Sequence, residues 1–252
     1  MYGAGVTDTQ SSEGIYTGGE YADRHPTWHV EDSPWKADQI ARMVELHQLA
    51  PRKVVEVGCG AGEVLRQVHD RLPGVTECVG YEISPQAFEM TKERATPGLR
   101  FELADFLESD ESDVDLLLLI DVIEHVEDYL GFLRGLQGRA RHTILHVPLD
   151  LSIEWMLRVR PLVNERRTMG HIHYFTKEIT LEPLRDTGYE VVDSFYTRWG
   201  IDLFYPSWDV VRQKDTPIKT GLRKALQHSL YALSPDLAAR VTRGWSLMVL
   251  AR

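Results

Sequence analysis

The chain has 252 residues, 43% of them hydrophobic, which is enough for one elaborated domain with a full core. Its formal net charge of −10 argues against a nucleic-acid partner, because binding to a phosphate backbone depends on a basic surface. The two cysteines, Cys59 and Cys78, provide neither a disulfide framework nor a zinc-site spacing, which favours a reducing, cytoplasmic location. The N-terminus has no signal-peptide pattern and the longest apolar run is too short to span a bilayer, so we expect no membrane association.

Predicted strands and helices alternate along the chain. The small, polar N-terminus is followed by a helix whose predicted N-cap is Ser33 and whose first helical residue is Pro34. Strands are predicted in the segments VVEV, CVGYE, LRFEL, VDLLLLI, HTILHVP, YEVVDSFYT and WSLMVLA, with helical stripes between most of them. The continuous apolar run VDLLLLI is typical of a central strand covered on both faces. This order predicts an α/β domain with a parallel sheet and right-handed crossovers.

Two regions depart from this alternation. Residues 151–175 are basic and are predicted to be irregular. Residues 199–243 form a long insertion, in which two segments that begin with proline are predicted as helices.

Three glycines, Gly58, Gly60 and Gly62, directly follow the first predicted strand. Such a loop either makes a tight strand–helix turn or lets the backbone approach a ligand closely, because no Cβ intervenes. The dinucleotide fingerprint would need a glycine where the chain has Glu63, whose carboxylate would also oppose a pyrophosphate at the helix N-terminus. We therefore expect a nucleoside without a pyrophosphate, and Glu56 and Glu63 would suit an ammonium or sulfonium charge.

The next three predicted strands also end in acidic residues. Glu82 follows the second strand, where a carboxylate can accept hydrogen bonds from both hydroxyls of a ribose. Asp105 follows the third strand, where it could accept from an adenine amino group, and Asp121 follows the fourth. Each acid alone could be a helix cap, but acids at successive strand ends together indicate a ligand crevice.

The segments VVEVGCGAG, VGYEIS, LADF and DVIEHVED resemble the successive motifs of class I S-adenosylmethionine-dependent methyltransferases of the small-molecule type. The final WSLMVLA resembles the last strand of that fold. The resemblance implies a Rossmann-like, doubly wound, seven-stranded sheet, mostly parallel with an antiparallel last strand, plus a helical cap insertion. It also implies one methyltransferase domain over residues 1–252, with an N-terminal lid and helix (1–49), a cofactor-binding core (50–198), the cap insertion (199–243) and the last core strand (244–252).

The cofactor that this resemblance implies is S-adenosylmethionine, with S-adenosylhomocysteine as its product. The three glycines would line its methionine part, with Glu56 at the loop entrance, and Glu82 would hold the ribose. Asp105 with Phe106 would contact the adenine, and Asp121 with Val122 would flank the methionine part and the reactive methyl. The predicted cofactor-binding residues are Glu56, Gly58, Cys59, Gly60, Gly62, Glu82, Ile83, Asp105, Phe106, Asp121 and Val122.

Three histidines are the candidate catalytic residues: His125, His171 and His173. Imidazole is suited to removing a proton from an acceptor near neutral pH, although these side chains could instead cap helices or bond to backbone. The pattern of Asp121, Glu124 and His125 resembles one in some ubiquinone-pathway O-methyltransferases that could bind a divalent ion. Relatives without a metal share the Glu-His pair, so we expect no metal.

The candidate substrate-binding residues are Tyr16, Tyr21, Trp28, His29, Arg166 and Tyr174. The N-terminal aromatics could close over the site as a lid, or simply dock the first helix. Arg166 belongs to an arginine-rich run that could recognise a carboxylate or phosphate, or form a solvated face. The insertion, with Trp199, Tyr205 and Trp208, could shape the choice of acceptor or form a homodimer contact.

The predicted function is methyl transfer to an oxygen or nitrogen of a small metabolite, with sugar, polyketide, quinone-like and amino-acid-derived acceptors all open. The alternatives are a non-catalytic S-adenosylmethionine-binding partner subunit and a methyltransferase that acts on protein or RNA. A NAD-dependent dehydrogenase is the remaining competitor for this fold.

Overall fold

The computed structural model describes residue 18, residues 20–198 and residues 217–252. Tyr16 and the first part of the predicted insertion, with Trp199, Tyr205 and Trp208, lie outside the described residues. The helices and strands below therefore belong to the described ranges alone.

The described strands form one seven-stranded sheet. They are β1 (Lys53–Val57), β2 (Glu77–Glu82), β3 (Leu99–Leu103), β4 (Val114–Ile120), β5 (Ala140–Pro148), β6 (Val191–Thr197) and β7 (Ser246–Ala251). Their order is β3-β2-β1-β4-β5-β7-β6, with β7 antiparallel to β5 and β6 and with parallel pairing from β3 through β5. The predicted Rossmann-like, doubly wound sheet with an antiparallel last strand is confirmed.

The helices lie in the N-terminal segment and in the connections between these strands. They are α1 (Glu20–Arg24), α2 (Ser33–Leu46), α3 (Glu63–Arg71), α4 (Pro85–Thr91), α5 (Tyr129–Leu136), α6 (Ile153–Met156), α7 (Arg160–Thr168), α8 (Lys177–Asp186), α9 (Pro217–Leu233) and α10 (Pro235–Val241). In those ranges of the chain, no helix combines the length and the apolar character needed to cross a membrane.

The sheet separates two hydrophobic cores. Leu117 and Leu119 of β4 pack into the core that α5, α8 and α10 cover, and Leu116 and Leu118 pack into the core under α2 and α3. Alternate residues of a strand point to opposite faces, so the apolar run of β4 is what lets both faces be buried. The prediction of β4 as a central strand is confirmed.

The order of the strands also fixes where a ligand can bind. The chain leaves β1 towards β2 on one side, and it later returns to place β4 on the other side of β1. In open sheets of this kind the crevice lies beyond the carboxyl ends of the strands at this reversal. The segments after β1, β2, β3, β4 and β5 therefore meet at one edge.

Two local predictions were wrong. Ser33 is the first residue of α2 rather than its cap, because a 3-10 turn over Val30–Asp32 leads straight into the helix. The stretch 151–175 is not irregular but contains α6 and α7. The Ser152 hydroxyl accepts a hydrogen bond from the Trp155 N–H at the start of α6, and a proline lies in the first turn of α7.

Candidate active site

A cavity of about 700 Å³ opens at the carboxyl ends of the parallel strands. Its wall combines the segments after β1 to β5 with the N-terminal segment and with part of α7. The acids predicted at the strand ends lie in this wall together with Gly58, Cys59 and Gly60 of the glycine loop. It therefore brings together the cofactor-binding residues expected from the sequence, except Gly62.

The glycine loop has a backbone that other residues rarely adopt. Gly58, Gly60 and Gly62 have φ values of 71°, 55° and 78°, in the left-handed region that glycine enters without strain. The N–H groups of Gly58 and Cys59 donate to the Tyr81 carbonyl at 2.9 and 3.0 Å, which holds the loop against β2. A Cβ on Gly60 would meet only the Trp28 ring, at 3.7 Å, so the loop backbone faces the cavity.

Glu82 connects this loop to the end of β2. Its buried carboxylate accepts hydrogen bonds from the N–H groups of Gly60 at 2.7 Å, Ile83 at 2.9 Å and Ser84 at 2.8 Å. Burial raises the pKa of Glu82, while these donors oppose the change. A carboxylate has about four acceptor positions, so one remains for a ribose hydroxyl at the cavity surface.

Glu56 presents an unsatisfied acceptor at the entrance of the loop. Its side chain is buried, and Oε2 has no hydrogen-bond partner within the described part of the chain. Burial raises the pKa of Glu56 to about 8. A buried acceptor at a cavity wall is costly unless a donor binds there, and the ammonium group of a methionine moiety is such a donor.

Glu63 does not have the free carboxylate that was expected of a partner for a sulfonium group. Its carboxylate is held by Arg66 at 2.7 and 3.0 Å, by Gln67 at 2.7 Å and by Arg94 at 2.9 Å. The hydrogen bonds from Arg66, Gln67 and Arg94 lower the pKa of Glu63 to about 2. Its negative charge is neutralised within the protein, so it anchors the start of α3 rather than a cationic ligand.

The part of the wall that is predicted to contact an adenine contains Asp105, Ile83 and Phe106. Asp105 caps a short 3-10 turn by accepting from the Leu107 N–H at 2.9 Å through Oδ1, which leaves Oδ2 for a ligand. Ile83 is an exposed apolar side chain in the wall. The Phe106 ring lies in the core against Tyr81, so only the backbone of Phe106 can face an adenine.

Asp121 is the centre of a charged network at the end of β4. It accepts from Lys36 Nζ at 2.8 Å and from His146 Nδ1 at 2.6 Å, and Lys36 also contacts Asp32 at 3.1 Å. Although burial opposes it, Lys36 and His146 hold the pKa of Asp121 well below its usual range. His146 Nε2 lies 2.9 Å from Thr197 Oγ1, so the network joins α2 to β4, β5 and β6.

We expect the ion pair between Lys36 and Asp121 to couple the N-terminal helix to the sheet. In a double-mutant cycle of Lys36→Met and Asp121→Asn, the free energy of unfolding should show a coupling of about 1–3 kcal/mol, as for a close, buried pair. The exposed pair of Lys92 and Glu89, at 2.6 Å, is the control and should give about 0.5 kcal/mol or less. Equal coupling in the two cycles would contradict a structural role for the buried pair.

The far end of the cavity, past Asp121, holds a cluster of one carboxylate and two imidazoles. Glu124 is fully buried, and neither of its carboxylate oxygens has a hydrogen-bond partner in the ranges that the structure describes. The rings of His125 and His171 meet edge to face at 5.0 Å. One ligand atom from each of these three residues lies within 4.8 Å of the other two.

Each histidine of this cluster is oriented through its Nδ1 atom. His125 Nδ1 lies 3.2 Å from the Gly170 carbonyl, and His171 Nδ1 lies 2.7 Å from Asp150 Oδ2, so both atoms carry a proton. Burial lowers the pKa of His125 to about 3. Although burial opposes it, Asp150 raises the pKa of His171 to about 9. Burial also raises the pKa of Glu124.

The N-terminal segment contributes aromatic side chains to the cavity wall. Tyr21, Trp28 and His29 line the cavity, and the Tyr21 hydroxyl lies 3.1 Å from His29 Nε2. The segment is fixed to α7, because Arg24 donates to the Arg167 carbonyl at 2.7 Å and His25 contacts the Thr168 carbonyl at 2.8 Å.

Three predicted site residues lie outside the cavity wall of the described chain. His173 Nε2 donates to the Val126 carbonyl at 2.9 Å, so its ring fixes the segment after β4. The Tyr174 hydroxyl donates to the carbonyl of Leu162 at 2.8 Å, and Arg166 is exposed on α7. These contacts are with the protein itself, and the structure does not bring the three residues to the site.

Several residues of the wall were missed from the sequence, namely Asp32, Lys36, His146, Asp150, Trp155 and Glu165. Asp150 follows the predicted fifth strand, so the strand-end rule that found Glu82 could have found it as well. Lys36 and Glu165 carry no such signal, because helix packing alone brings them to the cavity.

A family model described as a methyltransferase domain matches residues 29–194. The matched region holds the sheet edge, the glycine loop and the strand-end acids. The chain therefore belongs to the methyltransferase-domain family, and it is a class I S-adenosylmethionine-dependent methyltransferase. No curated protein matches the sequence.

Solved structures share this fold at low sequence identity. The [4+2]-cyclase SpnF matches with a TM-score of 0.64 and 14% identity, over 96% of this chain and 97% of that one. Magnesium protoporphyrin IX methyltransferase (ChlM) from Synechocystis PCC 6803 with bound S-adenosylmethionine matches at 0.57 and 13%, over 97% and 99%. A chain from the complex of the Haloferax volcanii Trm112 methyltransferase activator with its methyltransferase partner matches at 0.60 and 16%, over 94% and 95%.

Proposed function

We propose that this protein transfers a methyl group from S-adenosylmethionine to an oxygen or nitrogen atom of a small metabolite. One observation carries the proposal. A single cavity joins the glycine loop and Glu82 to the enclosed cluster of Glu124, His125 and His171. A cofactor held at one end would thus present its methyl group towards an acceptor at the other end.

The cofactor-binding roles proposed for the wall follow its chemistry. Glu56 would accept from the ammonium of the methionine part, Glu82 from the ribose and Asp105 from the adenine amino group. Gly58 and Gly60 would allow close approach to the methionine part, and the other predicted positions would complete the contact surface. When bound, S-adenosylmethionine supplies a methyl group activated by its sulfonium charge.

The chain itself has to align the acceptor, exclude water and receive a proton. Tyr21, Trp28 and His29 cover the cavity and would exclude water from it. His125, which is oriented through Nδ1 and kept neutral by burial, would contact the acceptor group and accept its proton, and the protonated His171 would donate a hydrogen bond to it. The indole N–H of Trp155, which has no partner among the described residues, could donate to an acceptor oxygen.

The candidate acceptors are still the four classes expected from the sequence: sugar, polyketide, quinone-like or amino-acid-derived compounds. The similarity to a protein named as a [4+2]-cyclase favours a second candidate, a cofactor-binding protein that does not transfer methyl groups. One similar chain comes from a complex with a methyltransferase activator, so the activity should also be tested in the presence of a protein partner. We still expect a cytoplasmic, single-domain protein that acts without nucleic acid.

Calorimetry followed by a turnover assay tests this proposal. S-adenosylhomocysteine should bind to the purified chain with one site, and NAD⁺ should not. Release of S-adenosylhomocysteine from S-adenosylmethionine should then depend on an acceptor from one of the four classes. Binding without turnover across the panel, with and without an activator protein, would favour the second candidate, and selective binding of NAD⁺ would overturn both.

A further inference from the structure

We infer that the acceptor carries an amino group, and that Glu124 binds this group as an ammonium ion at the far end of the cavity. The inference rests on the proposed function, because it names the substrate class of the same site. It narrows the candidate acceptors to amines, such as amino sugars and amines derived from amino acids.

Glu124 presents two hydrogen-bond acceptors that no described residue uses. Its side chain has no exposed surface, it lines the cavity, and neither carboxylate oxygen has a partner in the described ranges. A ring nitrogen of His171 lies within 4.8 Å of this carboxylate, but no hydrogen bond joins the two side chains. A buried carboxylate without donors is destabilising, and an ammonium group supplies both a positive charge and three N–H donors.

The wall of the cavity is strongly acidic. Eleven of its residues carry a carboxyl group, whereas Lys36 is the one lysine or arginine that lines it within the described ranges. Lys36 is already paired with Asp121 and Asp32. Arg166, which was a candidate for binding an anion, is exposed on α7 and lies outside the wall. The charge of the wall therefore attracts a cationic acceptor and repels a carboxylate or phosphate.

Part of this negative charge lies beyond the proposed cofactor contacts. Asp150 at the end of β5 and Glu165 on α7 line the cavity, and both act on His171, as Glu124 does. The protonated His171 donates to Asp150 at 2.7 Å, so these two charges balance each other. Burial raises the pKa of Glu165 to about 7 and also raises the pKa of Glu124, so a bound cation would stabilise the ionised form of both carboxyl groups.

A second group without a partner indicates what accompanies the amine. The indole N–H of the buried Trp155 has no partner among the described residues, and Trp155 lines the same cavity. A buried N–H of this kind needs an oxygen acceptor. An amine that also carries a hydroxyl or carbonyl oxygen would satisfy both Glu124 and Trp155.

Ligands that differ in one group test the inference on the full chain loaded with S-adenosylhomocysteine. The three matched sets are glucosamine, glucose and glucuronate; tyramine, tyrosol and 4-hydroxyphenylacetate; and benzylamine, benzyl alcohol and benzoate. In at least one set, saturation-transfer NMR and calorimetry should show that the amine binds about tenfold more tightly than the alcohol and the carboxylate. In Glu124→Gln the affinity for that amine should fall by about tenfold or more, while the affinity for the alcohol should not change.

Glu154→Gln is the matched control. Glu154 is an acid next to Trp155 but outside the wall, and its carboxylate lies 3.6 Å from both Arg158 and Arg243. This variant should bind the amine like the wild type. The melting temperature of ligand-free Glu124→Gln should equal or exceed that of the wild type, because the substitution removes a buried charge that has no hydrogen-bond partner.

Three results would overturn the inference. They are an amine that binds no better than its alcohol in every set, an unchanged amine affinity in Glu124→Gln, and a large drop in the melting temperature of that variant. The binding of S-adenosylhomocysteine and methyl transfer are measured on the same samples. Methyl transfer to an alcohol but to no amine would contradict the inference and support the proposed function, whereas absence of S-adenosylhomocysteine binding would contradict the proposed function itself.

Discussion

Glu82→Ala should weaken the binding of S-adenosylhomocysteine by about 10–150-fold. The carboxylate that would accept from the ribose also accepts from the N–H groups of Gly60, Ile83 and Ser84. Loss of the one charge-assisted hydrogen bond that Glu82 can still accept costs about 1.5–3 kcal/mol, which corresponds to that change in affinity. Calorimetric titration of the variant and the wild type measures the effect.

The opposite end of the same strand provides the control. Glu77 begins β2, where it pairs with Arg100 on the surface, far from the cavity edge. Glu77→Ala should leave the affinity for S-adenosylhomocysteine unchanged. Equal affinity in Glu82→Ala and the wild type would contradict both the ribose contact and the anchoring of the glycine loop by this carboxylate.

Gly62→Ala should lower the free energy of unfolding by about 3 kcal/mol. The residue has a φ of 78°, which costs an L-residue about 1–2 kcal/mol. A Cβ at this position would lie 2.5 Å from Phe101 Cε1 and 2.7 Å from its Cζ, so the buried ring or the loop would have to shift. Overpacking of this kind adds about 1–3 kcal/mol.

Gly138→Ala separates the two contributions. Gly138 has nearly the same φ, 79°, but a Cβ there would meet nothing within 4 Å. Urea unfolding should therefore show a loss of about 1–2 kcal/mol for Gly138→Ala, from the backbone alone. Equal losses of stability in the two variants would show that contact with the Phe101 ring does not constrain the loop.

The sheet could be predicted because each of its strands carries its own signal. The apolar runs, the helical stripes and the glycine loop are local features, and their order determines the topology once crossovers are right-handed. The acids at the strand ends could be placed for the same reason, since the carboxyl ends of parallel strands meet at one edge. Glu82, Asp105 and Asp121 all reach the cavity as expected.

The polar partners of the site could not be predicted, because they depend on packing between distant segments. Glu63 looked free to meet a cation, but Arg94, which follows α4, and Arg66 on its own helix neutralise it. His171 and His173 looked equivalent in sequence. Asp150 directs one ring to the cluster, whereas a backbone carbonyl holds the other away from it.

The crystal structure of the complex with S-adenosylhomocysteine tests the central claim most directly. We expect the ribose on Glu82, the amino group of the methionine part on Glu56, and the sulfur atom at Asp121 with its open side towards Glu124, His125 and His171. Such a complex would establish that one cavity brings cofactor and acceptor together. A ligand bound elsewhere, or a sulfur atom that points away from the cluster, would contradict the account.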